Sequence, residues 1–142
     1  MFDSILLVCD GNICRSPTAA ALLQARRPDK NVSSAGLVAL EGHDMDDTAR
    51  TVAEANGLSC PPHAGRKLDS ALCREADLIL VMEARQRDRI IQRYPEVSGK
   101  TFLLTHWGGG QDIPDPYHRG REVFERIFPT LRQAVEAWAA KL

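Results

Sequence analysis

The sequence lacks the features that mark several large classes of protein. No apolar run is long enough to span a bilayer. The first apolar segment is too short for a signal peptide and follows the acidic Asp3, so a secretory leader is not expected. The formal net charge of −1 gives no reason to expect a nucleic-acid partner. Together these absences predict a cytoplasmic protein without membrane insertion.

Cysteine is also scarce, and its spacing excludes further classes. The four cysteines are Cys9, Cys14, Cys60 and Cys73. They lack the tight Cys-x2-Cys spacing of structural zinc sites, and a disulfide-stapled secreted scaffold is not expected in a chain of this length without a leader. We therefore expect no metal, and we interpret Cys60 and Cys73 as structural residues.

What the sequence does contain is an alternation of apolar strands and helices without repeats or linkers. A chain of 142 residues that is 44% hydrophobic suits one domain, spanning 1–142, with its own core. The predicted strands cover 5–8, 31–34, 77–82 and 100–104, and the predicted helices cover 17–27, 47–56, 69–73, 84–93 and 119–142. This alternation predicts an α/β fold, a three-layer domain with a parallel sheet between helices.

The most specific motif is a short loop between the first strand and the first helix. The loop opens with Cys9 and reaches Arg15 six positions later. Ser16 and Pro17 follow, and they predict a helix start with serine as the N-cap and proline as the first helical residue. The Gly-x4-Gly-Lys-[Ser/Thr] spacing of a nucleotide-binding loop is absent. Cysteine and arginine are therefore expected at a helix N-terminus, beside a strand end.

This arrangement predicts a site for a tetrahedral oxyanion. A helix N-terminus presents unpaired N–H groups, and Gly11 and Asn12 tolerate the left-handed conformations that would turn such groups inward. Arg15 adds a planar fork of donors that matches two phosphate oxygens. The same positive field, with a hydrogen bond from Ser16, favours the thiolate form of Cys9. The loop thus predicts phosphate removal through a cysteinyl-phosphate intermediate.

The loop resembles the signature of the low-molecular-weight protein tyrosine phosphatases. Further motifs occur in the order of that family, so the resemblance covers essentially the whole chain: Ser33-Ser34-Ala35-Gly36, His63-x-x-Arg66, Asp77 to Met82 and Asp115-Pro116-Tyr117. The resemblance implies a four-stranded parallel sheet in the order 2-1-3-4 and a protein-tyrosine phosphatase without cofactor. It is strongest to the bacterial branch associated with exopolysaccharide and capsule production. That branch implies a tyrosine autokinase of polysaccharide export as the partner.

A second catalytic group is expected because the departing oxygen must be protonated. Asp115 lies between Pro114 and Pro116, which stiffen the backbone around it. The general acid of the family lies in a matching Asp-Pro-Tyr motif. We therefore predict that Asp115 is the general acid and that Cys9 and Arg15 complete the catalytic set.

The resemblance also implies supporting residues. Asn12 is expected to hold the loop through hydrogen bonds with Ser34 and His63, although His63 could equally be a solvated loop histidine. Two interpretations of Cys14 remain open. It either packs in the core, or it traps an oxidised Cys9 as a disulfide.

The walls of the pocket are predicted to be apolar. Ile13, Leu40 and Tyr117 would suit a phenyl ring, although Leu40 could also be an ordinary loop leucine. Asp10 departs from the neutral residue that is more usual in the family after the cysteine. An acidic group there could repel phosphate, so we predict that the side chain of Asp10 points outward while its N–H points inward. The substrate-binding set is therefore residues Asp10, Gly11, Asn12, Ile13, Cys14, Leu40 and Tyr117.

Three other functions share parts of this pattern. A thiol-coupled arsenate reductase has the same fold and loop but needs further redox cysteines close together, and Cys60 and Cys73 lie thirteen positions apart. A phosphoarginine phosphatase resembles the loop but carries threonine where this chain has Ile13. A non-catalytic phosphotyrosine-binding module would be expected to lack Cys9 or Asp115.

Overall fold

The computed structural model describes residues 2–142, so Met1 of the predicted domain lies outside the described residues. It contains a four-stranded parallel sheet formed by β1 Ser4–Cys9, β2 Asn31–Gly36, β3 Leu78–Val81 and β4 Thr101–Leu103. The strand order is β2-β1-β3-β4, which confirms the predicted sheet. The chain leaves β1 for β2 on one side and later returns to β3 on the other. The loop after β1 therefore lies at the switch in strand order, where α/β folds bind ligands.

Helices connect these strands as predicted, with small differences at their ends. They are α1 Arg15–Arg26, α2 Asp47–Ala55, α3 Ser70–Glu75, α4 Ala84–Arg93 and α5 Arg121–Ala139. Asp46 caps α2 and Asp69 caps α3, because each carboxylate accepts a hydrogen bond from a backbone N–H of the first turn. Short 3-10 turns at Pro95–Lys100 and His106–Gly108 flank β4. Among residues 2–142, no helix combines the length and hydrophobicity that a membrane span requires.

The sheet has a hydrophobic core on each face, because alternate residues of a strand point to opposite sides. Ile5 and Leu7 of β1 pack in the core formed with α1, α2 and α5. Leu6 and Val8 pack in the core formed with α3 and α4. Burying one such side chain stabilises the fold by about 1.5–3 kcal/mol. The predicted layers of helices on both faces are therefore confirmed.

The start of α1 differs from the prediction. The helix begins at Arg15, and Cys14 is the residue that precedes it, so Ser16 is not the N-cap and Pro17 is the third helical residue. Proline is tolerated there because the first N–H groups of a helix have no intrahelical partner. As a result, the hydroxyl of Ser16 lies inside the first turn, close to the loop, and is used there for another contact.

Candidate active site

The loop from Cys9 to Arg15 joins β1 to α1 at the carboxyl edge of the sheet. Cys9 and Arg15 are each only 2% exposed. The sulfur of Cys9 lies 2.9 Å from Ser16 Oγ, which is the contact expected of a hydroxyl that stabilises a thiolate. Asn12 has a φ of 57°, in the left-handed region, as predicted. Gly11 does not, so a single residue makes the left-handed turn of this loop.

Asn12 fastens the loop to three neighbouring segments. Its side-chain Nδ2 donates to Ser16 Oγ at 2.8 Å and to Ser34 Oγ at 3.0 Å. Its Oδ1 accepts from the backbone N–H of Arg66 at 3.0 Å, and its carbonyl oxygen accepts from His63 Nε2 at 2.6 Å. The structure therefore places Ser34 and His63 against Asn12 as expected, although His63 contacts the backbone. Asn12 itself is completely buried, so these bonds hold the left-handed turn in place.

A close approach between β2 and the loop reinforces this arrangement. Leu37 N donates to Cys9 O at 3.0 Å, just beyond the end of β2. A Cβ atom added to Gly36 would overlap the carbonyl oxygen of Asp10. Glycine is thus required at this position because backbone atoms of the loop occupy the space of a side chain.

The guanidinium of Arg15 is hydrogen-bonded on one side and open on the other. Its Nη1 donates to Glu83 Oε2 at 2.5 Å and to the carbonyl oxygen of Ile113 at 2.7 Å. Its Nη2 lies 3.6 Å from Asp10 Oδ2 and 3.9 Å from Asp115 Oδ2, beyond good hydrogen-bond distance. Its Nε is buried and has no hydrogen-bond partner among the described residues. The Nε–Nη2 edge can therefore bind two oxygens of an oxyanion.

The side chain of Asp10 is predicted to point outward, and it does not line the cavity beside Cys9. It turns toward α4, where Arg85 binds both of its oxygens and Gln86 Nε2 donates to Oδ1 at 3.0 Å. Burial would raise the pKa of Asp10, but the hydrogen bonds from Arg85 and Gln86 outweigh burial and lower that pKa below its usual value. The sequence analysis did not identify Arg85 as the partner of Asp10, because this cation lies 75 positions later in the chain. The negative charge of Asp10 thus remains near the site, where Arg85 compensates it.

Asp115 is positioned by a loop that is tied to the same edge of the sheet. Ile113 N donates to Met82 O at 2.9 Å, and Asp112 Oδ1 accepts from Ala84 N at 2.8 Å. The carboxylate of Asp115 remains 46% exposed. It accepts a hydrogen bond from Tyr117 N at 3.1 Å. These anchors bring Asp115 across a cavity from Cys9.

That cavity gathers most of the residues that the sequence singled out. Its lining consists of Cys9, Gly11, Ile13, Cys14, Arg15, Leu40, Asp115 and Tyr117. The structure therefore places the three predicted apolar residues beside the predicted nucleophile, arginine and acid. Leu40 takes this position because its N–H donates to Gly11 O at 3.0 Å. Among residues 2–142, no group of His, Cys, Asp or Glu side chains is arranged to hold a metal ion.

The other cysteines are buried thiols. Burial raises the pKa of Cys14 above its usual value, and nearby carboxylates and Cys9 add to that effect. Burial likewise raises the pKa of Cys73 to about 11. Cys60 and Cys73 lie in the two separate cores on opposite faces of the sheet.

Sequence reasoning missed two residues that shape the site, Glu83 and Arg85. A signal for them was available. The carboxyl ends of adjacent parallel strands meet at one edge of a sheet, so charged residues just after the third strand should lie near the loop after the first. Arg66 was noted only as part of the His63-x-x-Arg66 motif, and only the folded chain shows that its backbone N–H donates to Asn12.

The fold and the site define a small α/β phosphatase. A buried cysteine ends the first strand, a buried arginine with a free edge begins the next helix, and an aspartate lies across the cavity. The chain belongs to the low molecular weight phosphotyrosine protein phosphatase family, whose model matches residues 4–142. This confirms the predicted family and enzyme class.

Individual relatives are similar to this chain over its full length. The low molecular weight protein-tyrosine-phosphatase Wzb of Escherichia coli strain K12 is 46% identical over 142 residues, which cover 100% of this chain and 97% of Wzb. The crystal structure of Wzb from Escherichia coli K30 with sulphate is 48% identical, covers 99% of both chains and gives a TM-score of 0.96. Vibrio vulnificus Wzb in complex with benzylphosphonate is 44% identical, covers 100% of both chains and gives a TM-score of 0.97.

A structural relative with a different activity is more distant. The YwlE arginine phosphatase from Geobacillus stearothermophilus is 35% identical, with a TM-score of 0.92, over 99% of this chain and 92% of that chain. Fold similarity alone therefore does not separate the two activities.

Proposed function

We propose that this phosphatase hydrolyses phosphotyrosine through a covalent phosphate on Cys9. The observation that carries the proposal is the pattern of hydrogen bonds around the Arg15 guanidinium. Glu83 and Ile113 fix its Nη1, while within residues 2–142 its buried Nε lacks a partner and its Nη2 has only distant ones. A buried donor without a partner is costly, so an edge held open in this way is best explained by a bound oxyanion. The sulfur of Cys9 lines the same cavity.

The reaction runs in two steps. The thiolate of Cys9 attacks phosphorus, the bond between phosphorus and the tyrosine oxygen breaks, and protonated Asp115 gives its proton to that oxygen. Water then attacks the phosphocysteine while the carboxylate of Asp115 takes its proton. The sulfur–phosphorus bond breaks, inorganic phosphate leaves and the thiolate is restored. Arg15 and the N–H groups of the loop stabilise the negative charge of both transition states.

The cavity walls support an aryl substrate. Ile13, Leu40 and Tyr117 provide apolar surface around the sulfur, which suits a phenyl ring better than a serine side chain. Vibrio vulnificus Wzb was solved with benzylphosphonate, a phosphonate that carries a phenyl ring on its methylene carbon. We infer that the ring of the substrate occupies the equivalent space here and that Asn12, Ser34, His63 and Ser16 keep the loop in shape beneath it.

For the cellular role, we propose a phosphotyrosine protein as partner, in particular a bacterial tyrosine autokinase of polysaccharide export. The support is the similarity to Wzb together with the resemblance to the exopolysaccharide-associated branch. We propose that residues 1–142 act as one domain in the cytoplasm, where a reducing environment preserves the thiol of Cys9.

The decisive test compares kcat/KM on peptides that differ only in carrying phosphotyrosine, phosphoserine or phosphoarginine. We expect a strong preference for phosphotyrosine, and a preference for phosphoarginine would overturn the substrate assignment. Acid quenching during turnover, followed by mass spectrometry, should find one phosphoryl group on the Cys9 peptide. Cys9→Ser should abolish turnover, and normal turnover by this variant would exclude the mechanism. Oxidation of thiols that depends on arsenate, without phosphatase turnover, would favour an arsenate reductase instead.

A further inference from the structure

A second concave surface begins where the wall of the catalytic cavity ends. The segment 37–40 runs over the catalytic loop, because Leu37 N donates to Cys9 O and Leu40 N donates to Gly11 O, each at 3.0 Å. Leu40 lines the catalytic cavity, whereas Leu37 lines a groove between this segment and α4. We call this surface the basic groove; its lining includes Leu37, Val38, Lys67, Arg89, Arg93 and Tyr94.

The groove carries an excess of positive charge that the protein itself does not neutralise. Lys67, Arg89 and Arg93 are exposed, and none of them forms an ion pair within residues 2–142. Glu41 is the one carboxylate in the described lining. By contrast, Arg85 of the same helix is bound by Asp10 and Glu83. The cations in the groove are thus available to an external partner.

The groove also offers apolar surface. Val38 is 58% exposed and contributes a branched aliphatic side chain to the groove. The ring of Tyr94 lines the groove and lies 5.7 Å from the guanidinium carbon of Arg93. Cations arranged around apolar side chains match an extended acidic peptide that also carries an apolar residue.

We propose that the basic groove binds acidic residues that flank the phosphotyrosine of a protein substrate. A peptide whose phosphotyrosine occupies the catalytic cavity reaches the groove by crossing the segment 37–40. The charge of the groove and its continuity with the catalytic cavity both favour this occupant. The inference rests on the proposed function, since it assigns to the groove a part of the same substrate.

The test uses phosphotyrosine peptides with three glutamates on one side or the other of the tyrosine, each matched to a peptide with glutamines. We expect at least one acidic peptide to show a kcat/KM about tenfold above its match, because an exposed ion pair contributes a factor of about two to five. The preference should weaken as ionic strength rises. Equal kcat/KM values for every acidic peptide and its match would overturn the proposal.

Two triple variants test whether the preference for acidic peptides comes from the groove. Replacing Lys67, Arg89 and Arg93 with glutamine should remove the preference while leaving kcat/KM on para-nitrophenyl phosphate unchanged. The control variant replaces Arg74, Arg126 and Lys141 with glutamine; it removes the same charge elsewhere and should keep the preference. An equal loss in both variants would contradict the groove as the binding surface.

Two further outcomes also overturn the proposal. A dimer in sedimentation that only the groove variant dissociates would assign the groove to a second copy of the chain. If the unaltered protein hydrolyses neither para-nitrophenyl phosphate nor any phosphotyrosine peptide, the proposed function itself fails. Because para-nitrophenyl phosphate does not reach the groove, failure of the groove alone would leave its hydrolysis intact.

Discussion

Arg85 binds both oxygens of Asp10, a residue 75 positions earlier that adjoins Cys9. The same guanidinium contacts Glu83, and Glu83 in turn holds Arg15. Two arginines and two carboxylates thus form a closed ring beside the catalytic loop. Because the ring is balanced in charge, it holds Arg15 in place without repelling the substrate.

The first prediction follows from this ring. Arg85→Ala leaves the carboxylate of Asp10 uncompensated near the phosphate, so KM for para-nitrophenyl phosphate should rise about fivefold, as expected for ~1 kcal/mol of repulsion at short range in water. Adding Asp10→Asn should restore KM, because it removes the uncompensated charge. Steady-state kinetics of the single and double variants checks this. A double variant as impaired as Arg85→Ala would show that Arg85 acts through some other contact.

The second prediction concerns Asp115. Asp115→Asn cannot donate a proton, so kcat on a phosphotyrosine peptide should fall by about 10²–10⁴. The loss should be smaller for para-nitrophenyl phosphate, whose leaving group needs less protonation, and inhibition by inorganic phosphate should persist. Asp112→Asn, which keeps an acceptor for Ala84 N, is the matched control. Equal losses on both substrates would argue against Asp115 as the acid.

The third prediction concerns the close approach at Gly36. A methyl group there overlaps the carbonyl oxygen of Asp10, so Gly36→Ala should lower the free energy of unfolding by about 1–3 kcal/mol and reduce kcat/KM. Urea denaturation and activity assays measure the two effects. Gly99→Ala is the control, because a Cβ at Gly99 meets no atom within 4 Å. Equal stability of the two variants would mean that the loop can move away at little cost.

The fourth prediction concerns oxidation. Peroxide converts the thiolate of Cys9 to a sulfenic acid, and the Cys14 thiol, which lines the same cavity, can displace water from it to form a disulfide. Inactivation of the unaltered protein should then be reversed by dithiothreitol, whereas Cys14→Ser should be inactivated irreversibly. Cys60→Ser controls for the loss of a buried thiol. Equal recovery of all three proteins would assign Cys14 to packing alone.

The fifth prediction concerns pH and stability. Asp77 accepts hydrogen bonds from Ser4 N and Asp3 N, each at 2.9 Å, and these bonds hold its pKa below its usual value. A lowered pKa stabilises the fold above the unfolded-state value of about 4, and the contribution is lost as pH falls through the folded-state pKa. Asp77→Asn should therefore reduce the urea midpoint at pH 7, and the reduction should shrink as the pH falls below about 4. The control is Asp88→Asn, whose exposed carboxylate lies 3.6 Å from Arg87 Nε. A reduction that is constant with pH would refute the charge argument.

Local patterns were sufficient for the element order and for much of the site. The apolar run before Cys9 and the alternation of strands and helices depend on neighbours in sequence, so these elements could be predicted. The family motifs then implied which distant segments meet the loop. The start of α1 was missed because Ser16 has the residue type of a cap, yet its hydroxyl instead contacts Cys9 and Asn12.

Residue types and their spacing are sufficient to predict the cysteine-to-arginine loop, the alternation of strands and helices and the apolar character of Ile13, Leu40 and Tyr117. The surroundings of Asp10 and the open edge of Arg15 follow instead from contacts that form on folding. Those outcomes depend on Glu83 and Arg85, which reach the loop because β3 pairs directly with β1. Whether a charge beside the nucleophile weakens or supports phosphate binding therefore depends on which side chains the sheet order places next to it.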